Sequence, residues 1–531
     1  MSRSSLVAQA DLAVTHNLFQ LVTAAAEQYG QSPYLLPAED GGRVVTFEDV
    51  LDFVRGCAAV LDDHDVPPGA RVATVLHNSQ LAALLFLGVT AAQRVLVPLS
   101  PKSGPAELDA LLGLSKPLLV IGPSAAVEGI GHEVRRLTVE DPESLVEEIL
   151  ARGAGSTVEL AVPDDGGTLD AEIVYTSGST GTPKGVVLSH RALLANSLAM
   201  AKWADAGQDD VFLNVVPVFH AGGQGFPTLT PLWCGGQTVC VRSETALARF
   251  WRYVDRHQPT WTLVVNAYLA SLAERPERPE SAESPGRPSA RQLKGVLAGG
   301  SALHPDLIHR FEDTFGIPVR QVYGMTEMTS VTTVEDRDGS PDGARTAGPP
   351  VPFAKVRVVG PDGEDLPAGA DGEILLSGPS MFTRYEGEQE LTDARLSDGW
   401  VRSGDLGHLD ALGRLSIVDR IDSMVIVNGE NVYPAEVENL VSRLAGIQDA
   451  VVVALPHPVT GVELVLIHTL SPGAAADPDA WRATLMGLLK NAKVPRRFVP
   501  LDELGLQDFP RTPLGKIQRA EVRRLAVEHL T

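Results

Sequence analysis

The chain has 531 residues, of which 44% are hydrophobic and 21% charged, a composition typical of a folded globular protein large enough for more than one packed unit. The formal net charge of −23 at pH 7 repels phosphate backbones and anionic lipids, so neither nucleic acid binding nor a membrane-surface role is expected. The sparse cysteines, Cys57, Cys234 and Cys240, lack metal-site spacing and predict a reduced, cytoplasmic protein.

The sequence predicts neither a secretory signal nor a membrane-inserted segment. The N-terminal stretch has no apolar core followed by a small-residue cleavage site. The longest apolar run, residues 81–99, is broken by Gln93 and Arg94 and carries Pro98, so it is too interrupted to span a bilayer. It predicts instead a helix followed by a buried strand.

The first part of the chain alternates strand-like and helix-like patterns. Residues 44–47 and 72–76 are typical of strands, and apolar residues recur at helical spacing between them, from 50 to 58. The same alternation continues through the apolar stretches around residues 96 and 120. It predicts an α/β architecture of packed layers.

A loop rich in glycine and hydroxyl side chains follows a strand predicted at 171–174. In YTSGSTGTPKG, residues 175–185, glycines let the backbone approach a ligand while hydroxyls and a lysine suit phosphates. The loop is neither a Walker A motif nor a dinucleotide fingerprint, and its density of donors disfavours the alternative of a plain Gly/Ser turn. A helix is predicted behind it, at 194–201, whose start faces the ligand. The candidate phosphate-binding residues are Thr176, Ser177, Gly178, Ser179, Thr180, Gly181, Thr182 and Lys184.

The last hundred residues have the character of a small α+β unit. A polar, proline-broken stretch at 273–291 is predicted to be a surface insertion in the preceding part. The boundary is placed near residues 420–423, which divides the chain into domains 1–420 and 421–531. The smaller domain is predicted to contain a helix that starts at Pro434, strands at 450–454 and 464–470, and a helix with Trp481, Leu485, Leu488 and Leu489 on one side.

Six further segments occur in a characteristic order. They are VPVFHAGG at 216–223, LAGGSAL at 297–303, YGMTE at 323–327, GWVRSGDLG at 399–407, DRIDSMVIVNGENVYPAEVE at 419–438 and PRTPLGKIQR at 510–519. Together with the loop, they resemble the adenylate-forming superfamily of acyl-CoA and aryl-CoA synthetases, peptide-synthetase adenylation domains and luciferases. The resemblance covers nearly the whole chain and implies a large layered α/β N-terminal domain with a small α+β C-terminal domain on a hinge.

Several of these segments also have a chemical interpretation of their own. Tyr323 can stack on a purine, Thr326 can bond a phosphate, and Glu327 can hold a magnesium ion that bridges phosphate oxygens. Asp405 lies in a glycine-flanked turn and can accept hydrogen bonds from two ribose hydroxyls. The alternatives are a helix-start residue for Glu327 and a turn cap for Asp405.

The resemblance adds further roles. It implies that Arg420 is a second ribose contact and that His220 borders the acid pocket, although a surface salt bridge and a structural histidine are the alternatives. The other implied nucleotide-binding positions are Gly299, Gly300, Ser301 and Gly324.

The C-terminal domain resembles the family in three functional positions. Lys516 resembles the catalytic lysine, Asp422 the hinge residue, and Gly429 lies in the segment that meets the thiol arm. At five positions the sequence departs from the common pattern: Arg94, Asn266, Ala267, Asp419 and Ser423. None of these removes a nucleotide contact, but they leave the hinge dynamics and the choice of acid open.

The resemblance implies an enzyme that uses ATP and Mg²⁺ to convert a carboxylic acid into acyl-AMP, releases pyrophosphate and transfers the acyl group to coenzyme A. A carrier-protein pantetheine arm is an alternative acceptor, and a catalytically silent nucleotide-binding homologue is a further alternative. The expected pocket walls, Ala221, Gly222, Gly223, Ala298, Gly299 and Met325, favour an acyl or aryl acid over an amino acid. A homodimer is left open.

Overall fold

The computed structural model describes most of the chain. The described residues are 6–9, 15–39, 42–128, 130–131, 133–156, 160, 166–176, 183–274, 293–300, 303, 305–340, 345–423, 425–427, 430–441, 444–457, 461–489, 493–512 and 517–530. The predicted surface insertion therefore lies mostly outside them.

The first third of the chain alternates helices and strands. Its elements are α1 (Leu6–Gln9), α2 (Leu18–Tyr29), β1 (Pro33–Leu36), β2 (Val45–Thr46), α3 (Phe47–Asp63), β3 (Arg71–Val75), α4 (Gln80–Ala91), β4 (Val95–Leu99), α5 (Pro105–Ser115), β5 (Leu119–Gly122), α6 (Ser124–Val127), β6 (Arg135–Thr138) and α7 (Pro142–Gly153). The strand expected at 44–47 is shorter, because Thr46 caps α3 by accepting a hydrogen bond from Asp49 N.

The alternation continues through the middle of the chain. Here the elements are β7 (Asp170–Thr176), β8 (Lys184–Ser189), α8 (His190–Ala204), β9 (Val211–Asn214), α9 (Ala221–Gln224), α10 (Thr230–Cys234), β10 (Gln237–Cys240), α11 (Ser243–His257), β11 (Trp261–Val265), α12 (Asn266–Glu274), β12 (Gly295–Gly299), α13 (Pro305–Phe315), β13 (Val319–Gly324) and β14 (Val331–Val334).

The remaining elements form smaller sheets. They are β15 (Lys355–Val359), β16 (Gly372–Ser377), β17 (Arg384–Tyr385), α14 (Gln389–Arg395), β18 (Leu396–Ser397), β19 (Trp400–Leu409), β20 (Leu415–Arg420), β21 (Val425–Val427), β22 (Glu430–Val432), α15 (Pro434–Glu438), β23 (Ile447–His457), β24 (Gly461–Leu470), α16 (Pro478–Leu488), β25 (Arg497–Pro500) and α17 (Arg519–Leu530).

Two large sheets dominate the part before residue 421. One has the order β14-β13-β12-β11-β9-β10-β1-β2, in which the strands from β13 to β1 are parallel. The other has the order β17-β8-β7-β4-β3-β5-β6, in which β8 and β17 add antiparallel edges. The largest cluster of buried apolar residues includes helices α2, α3, α4 and α8. The expected α/β layers are confirmed.

The smaller sheets are largely antiparallel. Strands β15, β16, β19 and β18 form one sheet, in which β20 also pairs with β19. Strands β23, β24 and β25 form the last sheet, and two apolar clusters drawn from residues 425–530 cover it. The predicted helix at Pro434 ends already at Glu438, and Leu488 on α16 is exposed rather than packed with Trp481.

Arg94 has a structural role. Its guanidinium is buried, donates from Nε and Nη2 to Val66 O and from Nη1 to Ala92 O, and pairs with Asp62. It therefore holds the turn before β4. Within the described part of the chain, no helix is both long and apolar enough to cross a bilayer.

Glu172 is a buried carboxyl in the middle of β7. Neither of its oxygens has a hydrogen-bond partner within 3.5 Å among the described residues. Burial raises its pKa to about 8, and the neighbouring Gln224 amide offsets only part of that rise. The group is therefore protonated in the folded protein at neutral pH.

We expect Glu172→Gln to stabilise the protein at pH 7 by about 3 kcal/mol. The unfolded carboxyl ionises above pH 4.5 and the folded one only near pH 8, so wild-type stability falls as the pH rises between these values. Urea unfolding at pH 4 to 8 should show a difference that grows with pH. The exposed control Glu133→Gln should unfold with the same free energy as the wild type across this pH range. A difference in unfolding free energy between Glu172→Gln and the wild type that does not change with pH would contradict the prediction.

Candidate active site

Several of the predicted site residues lie at one edge of the eight-stranded sheet. Strands β9, β12 and β13 are parallel, so their carboxyl ends meet there. These ends lead into the His220 turn, the Gly299–Gly300 turn and the segment from Tyr323 to Glu327. Segments a hundred residues apart in sequence therefore lie at the same edge of this sheet.

The two ends of the glycine- and hydroxyl-rich segment 175–185 lie on the paired strands β7 and β8. Thr176 ends β7 and pairs with Lys184, which begins β8. The intervening Ser177–Thr182 lie outside the described residues, so their contacts stay predictions. The expectation that the following helix points its start at the loop is wrong, because β8 intervenes and α8 begins beside Asp170 at the opposite end of the hairpin.

Tyr323, Asp405 and Arg420 form one polar cluster. The Tyr323 hydroxyl donates to Asp405 Oδ2 at 2.6 Å, and Arg420 Nε lies 3.3 Å from Asp405 Oδ1. Asp405 and Arg420 are paired across β19 and β20. Burial raises the pKa of Tyr323 well above its ordinary value, and the Asp405 carboxylate raises it further. In this cluster the Asp405 carboxylate, a hydrogen-bond acceptor, lies beside the Arg420 guanidinium, a hydrogen-bond donor.

Glu327 belongs to a second cluster. It lies in a one-turn helix, residues 326–328, that also contains Thr326. Its Oε1 accepts a 2.6 Å hydrogen bond from the Tyr385 hydroxyl, and Arg395 Nε donates to that hydroxyl at 3.4 Å. Lys184 Nζ lies 5.9 Å from the centre of the Tyr385 ring. A carboxylate and two cations thus surround one buried phenol.

Sequence reasoning missed Tyr385 and Arg395. No local spacing marks them, and their place depends on the pairing of β17 with β8, where Tyr385 faces Val186. That pairing is extended by a hydrogen bond from Glu386 N to Gly185 O. Only this long-range register brings Tyr385 next to Lys184.

The turn after Glu327 is strained and firmly held. Thr329 has a φ of 67°, which is costly for a β-branched residue, by about 1 to 3 kcal/mol. Its hydroxyl donates to Ser380 O at 2.8 Å, and Phe382 N donates to Glu327 O at 2.8 Å. The same turn needs a glycine at Gly324, where a Cβ would lie 1.7 Å from Ser330 O. These contacts fix the position of Glu327.

Two buried asparagines that the sequence analysis did not identify hold the His220 turn. Asn78 accepts a hydrogen bond from Val218 N and donates to Asn214 O and Val241 O. Asn214 Nδ2 donates to Gly223 O at 2.9 Å. His220 itself is half-buried, and its ring centre is 4.7 Å from that of Phe219.

The small residues of the expected acid pocket differ in role. A Cβ on Gly223 would lie 2.3 Å from Pro217 O, and one on Gly299 would lie 2.6 Å from Val322 O, so both glycines allow close backbone packing. A Cβ on Gly222 would be 3.6 Å from Leu263 Cδ2 and 4.0 Å from Ser330 Oγ, which is ordinary contact distance. Gly222 therefore leaves room for a side chain or ligand.

Ser301, Gly429 and Lys516 lie outside the described residues. Asp422 lies in the short turn 421–423 that follows β20. Asp419, one of the departures from the common pattern, accepts hydrogen bonds from Arg420 N at 2.6 Å and from Ala435 N, at the start of α15, at 2.8 Å.

Comparison with known proteins identifies similar chains. The AMP-binding enzyme family matches residues 22–386. The chain is 32% identical to a sulfoacetate–CoA ligase of Cupriavidus necator over 522 residues, which covers 96% of this chain and 98% of that one. It is 33% identical to a feruloyl-CoA synthase of an Amycolatopsis species over 500 residues, 93% of this chain and 96% of that one. The crystal structure of ATP-bound MatB from Rhodopseudomonas palustris is similar, with a TM-score of 0.82, 26% identity, and coverage of 96% of this chain and 99% of that one.

From the expectation that Glu327 holds Mg²⁺, we predict that Tyr385→Phe raises the Mg²⁺ concentration needed for half-maximal ATP-dependent activity about 10-fold, because Glu327 loses the hydrogen bond that orients it. A magnesium titration measures this. Tyr29→Phe is the matched control, since Tyr29 also donates a buried hydrogen bond, to Trp233 O at 2.8 Å. An unchanged magnesium requirement in Tyr385→Phe would contradict the role of Tyr385 in orienting Glu327.

Proposed function

The chain belongs to the AMP-binding enzyme family, and from that premise we propose how its residues divide the work of an acid–CoA ligase. The enzyme couples a carboxylic acid to coenzyme A at the expense of ATP. A carboxylate oxygen attacks the α-phosphorus and pyrophosphate leaves, which gives acyl-AMP. The thiol sulfur then attacks the acyl carbon, loses its proton, and AMP leaves.

The nucleotide site is proposed to consist of the two clusters described above. The observation that carries this assignment is the contact of Tyr323, Asp405 and Arg420, because a carboxylate beside an arginine suits a ribose diol. Tyr323 lines the adenine side. Backbone groups are proposed to lie close to the nucleotide at Gly299, Gly300, Ser301 and Gly324. Thr326 is proposed to form a hydrogen bond with a phosphate oxygen.

The phosphate chain is proposed to lie between the loop 176–182, Lys184 and Glu327. Glu327 suits a magnesium ligand, since its Oε2 carries no hydrogen bond within the described part of the chain while Oε1 is fixed by Tyr385. Described residues contain no group of three His, Cys, Asp or Glu that could hold a metal alone, so ATP oxygens and water would complete the shell. Bound Mg²⁺ would neutralise phosphate charge.

The C-terminal residues are assigned by resemblance. Lys516 is proposed to reach the reacting carboxylate and α-phosphate during adenylation. Rotation about Asp422 would then remove Lys516 and present Gly429 to the pantetheine arm. The hydrogen bond from Ala435 N to Asp419 lies beside this proposed hinge and would be sensitive to the rotation. The domains would be residues 1–420 and 421–531.

The acid is proposed to be an acyl or aryl acid that lies between the His220 turn and Ser330. No aspartate follows His220 to pair with an amino group. The relatives named for sulfoacetate and feruloyl substrates show that similar chains take chemically different acids. A carrier-protein arm is proposed as the alternative acceptor, and a homodimer as a further possibility of assembly to be tested.

The protein is proposed to be catalytically active rather than a silent nucleotide-binding homologue. This proposal rests on the presence together of Glu327, Asp405, Arg420 and Lys516.

The protein is also proposed to be cytoplasmic, on the evidence of its cysteines. Cys57, Cys234 and Cys240 are buried free thiols, and burial raises the pKa of each to about 12. Inert thiols of this kind are compatible with the cytoplasmic location proposed here.

The function is tested by exchange of labelled pyrophosphate into ATP across a panel of aliphatic and aryl acids, followed by detection of the CoA thioester. We expect exchange that depends on the acid and on Mg²⁺. Tight ATP binding without exchange for any acid would instead favour a silent nucleotide-binding protein.

We expect Lys516→Ala to slow adenylation by about 10²- to 10³-fold with little change in ATP affinity, because its charge acts mainly in the transition state. Thioester formation from synthetic acyl-adenylate should be nearly unchanged. Single-turnover measurements separate the two steps, and the exposed Arg523→Ala serves as a control for loss of a C-terminal cation. Equal loss in both steps would contradict the rotation about Asp422.

A further inference from the structure

Arg395 is a cation at the nucleotide site that neither the sequence motifs nor the resemblance assigns. It is the last residue of α14 and is half-buried. Among the described residues, its hydrogen bond is the one to the Tyr385 hydroxyl, and no carboxylate oxygen lies within 4.0 Å of its guanidinium. By contrast, the nearby Arg384 is paired with Asp170 at 2.6 Å.

The guanidinium of Arg395 converges with that of Arg420. A Cβ on Gly404 would lie 2.9 Å from Arg395 Nη1 and 3.4 Å from Arg420 Nη2. Gly404 has a φ of 71°, so both its conformation and its missing side chain suit this approach. Asp405 already compensates the charge of Arg420, whereas no carboxylate among the described residues pairs with Arg395, so an anion placed between the two guanidiniums would be attracted by both.

The location indicates which anion this is. The Tyr385 hydroxyl contacts both Arg395 and Glu327, and the Tyr385 ring lies near Lys184 Nζ. Arg395 therefore stands between the proposed ribose contacts, Asp405 and Arg420, and the proposed magnesium ligand. In a nucleoside triphosphate, the phosphate chain occupies the stretch between the ribose and the metal.

We propose that Arg395 binds the phosphate chain of ATP and the departing pyrophosphate. The inference rests on the proposed nucleotide site and adds a residue to it. The planar guanidinium can donate two parallel hydrogen bonds to phosphate oxygens, which an ammonium cannot do. A cation in the last turn of a helix also suits the helix dipole, but that role does not require the approach to Gly404.

The overall charge of the protein strengthens the need for such a residue. With a net charge of −23, the chain repels ATP and pyrophosphate at long range, so binding depends on local cations that face the ligand. Arg395, Arg420 and Lys184 are positioned together around Tyr385 and Gly404. They supply positive charge at this one place on a strongly acidic chain.

The test compares ligands with and without phosphates. Calorimetric affinities for adenosine, MgATP and magnesium pyrophosphate are measured for the full-length wild type, Arg395→Gln, Arg395→Lys and Asp405→Ala. We expect Arg395→Gln to weaken MgATP and pyrophosphate about 10- to 100-fold and to leave adenosine unchanged. Arg395→Lys should lose less, because it keeps the charge without the fork. Asp405→Ala should weaken adenosine and MgATP alike and spare pyrophosphate.

Arg357→Gln is the matched control. Arg357 is a surface arginine that pairs with Asp365 at 2.6 Å and stacks on Trp400, and its loss changes the net charge by the same amount. All three affinities should then stay at wild-type values. Thermal unfolding without ligand verifies the fold of each variant. If Arg395→Gln does not fold, the affinities of Arg395→Lys are compared with those of the wild type instead.

Two outcomes would overturn the role of Arg395. One is wild-type affinity for pyrophosphate in Arg395→Gln, and the other is an equal loss for adenosine and MgATP, which would mean that Arg395 acts through the fold or the ribose contacts. Wild-type protein that binds neither adenosine nor MgATP would instead refute the nucleotide site itself. None of these measurements requires the acid substrate.

Discussion

The hydrogen bond from Tyr323 to Asp405 joins two sheets that share no strand. Tyr323 lies at the carboxyl end of β13 in the eight-stranded sheet, and Asp405 lies in β19 of the antiparallel sheet. The next strand, β20, carries Arg420 back to the same carboxylate before the chain enters the C-terminal unit. The geometry of the proposed ribose site, and the starting point of the proposed hinge, both depend on this junction.

A second junction has the same character. The Tyr385 hydroxyl on β17, at the edge of the seven-stranded sheet, bonds Glu327, which follows β13 of the other large sheet. The strained turn at Thr329 tolerates its φ only because hydrogen bonds from both sides hold it. Three sheets are thus joined by the hydrogen bonds of Tyr323 and Tyr385, which hold Asp405 and Glu327 in place. Fixed charges of this kind are what the electrostatic stabilisation of a transition state requires.

Electrostatics separates the site from the rest of the surface. The chain as a whole is strongly acidic, yet Lys184, Arg395 and Arg420 lie around one phenol and one glycine. The buried carboxyl of Glu172, on the strand that leads into the phosphate loop, stays protonated near neutrality, because burial disfavours its charge. It therefore adds little negative charge to the interior of the seven-stranded sheet.

The sequence by itself determined the α/β layers and the small C-terminal α+β unit, and it singled out segments that the structure places at one edge of the eight-stranded sheet. Hydrophobic periodicity and the loop 175–185 are local signals, and local signals survive in the linear order of residues. Motif resemblance also identified Glu327, Asp405 and Arg420, although their mutual contacts could not be read from spacing.

Tertiary structure alone decided the rest. The direction of α8 followed from the unrecognised strand β8, and the difference between Gly222 and Gly223 followed from which glycine packs against Pro217 O. Tyr385 and Arg395 reach the site only through the register of β17 on β8. Long-range register depends on which sheet edge is free and on the total burial of the packed layers, and no short stretch of sequence encodes either quantity.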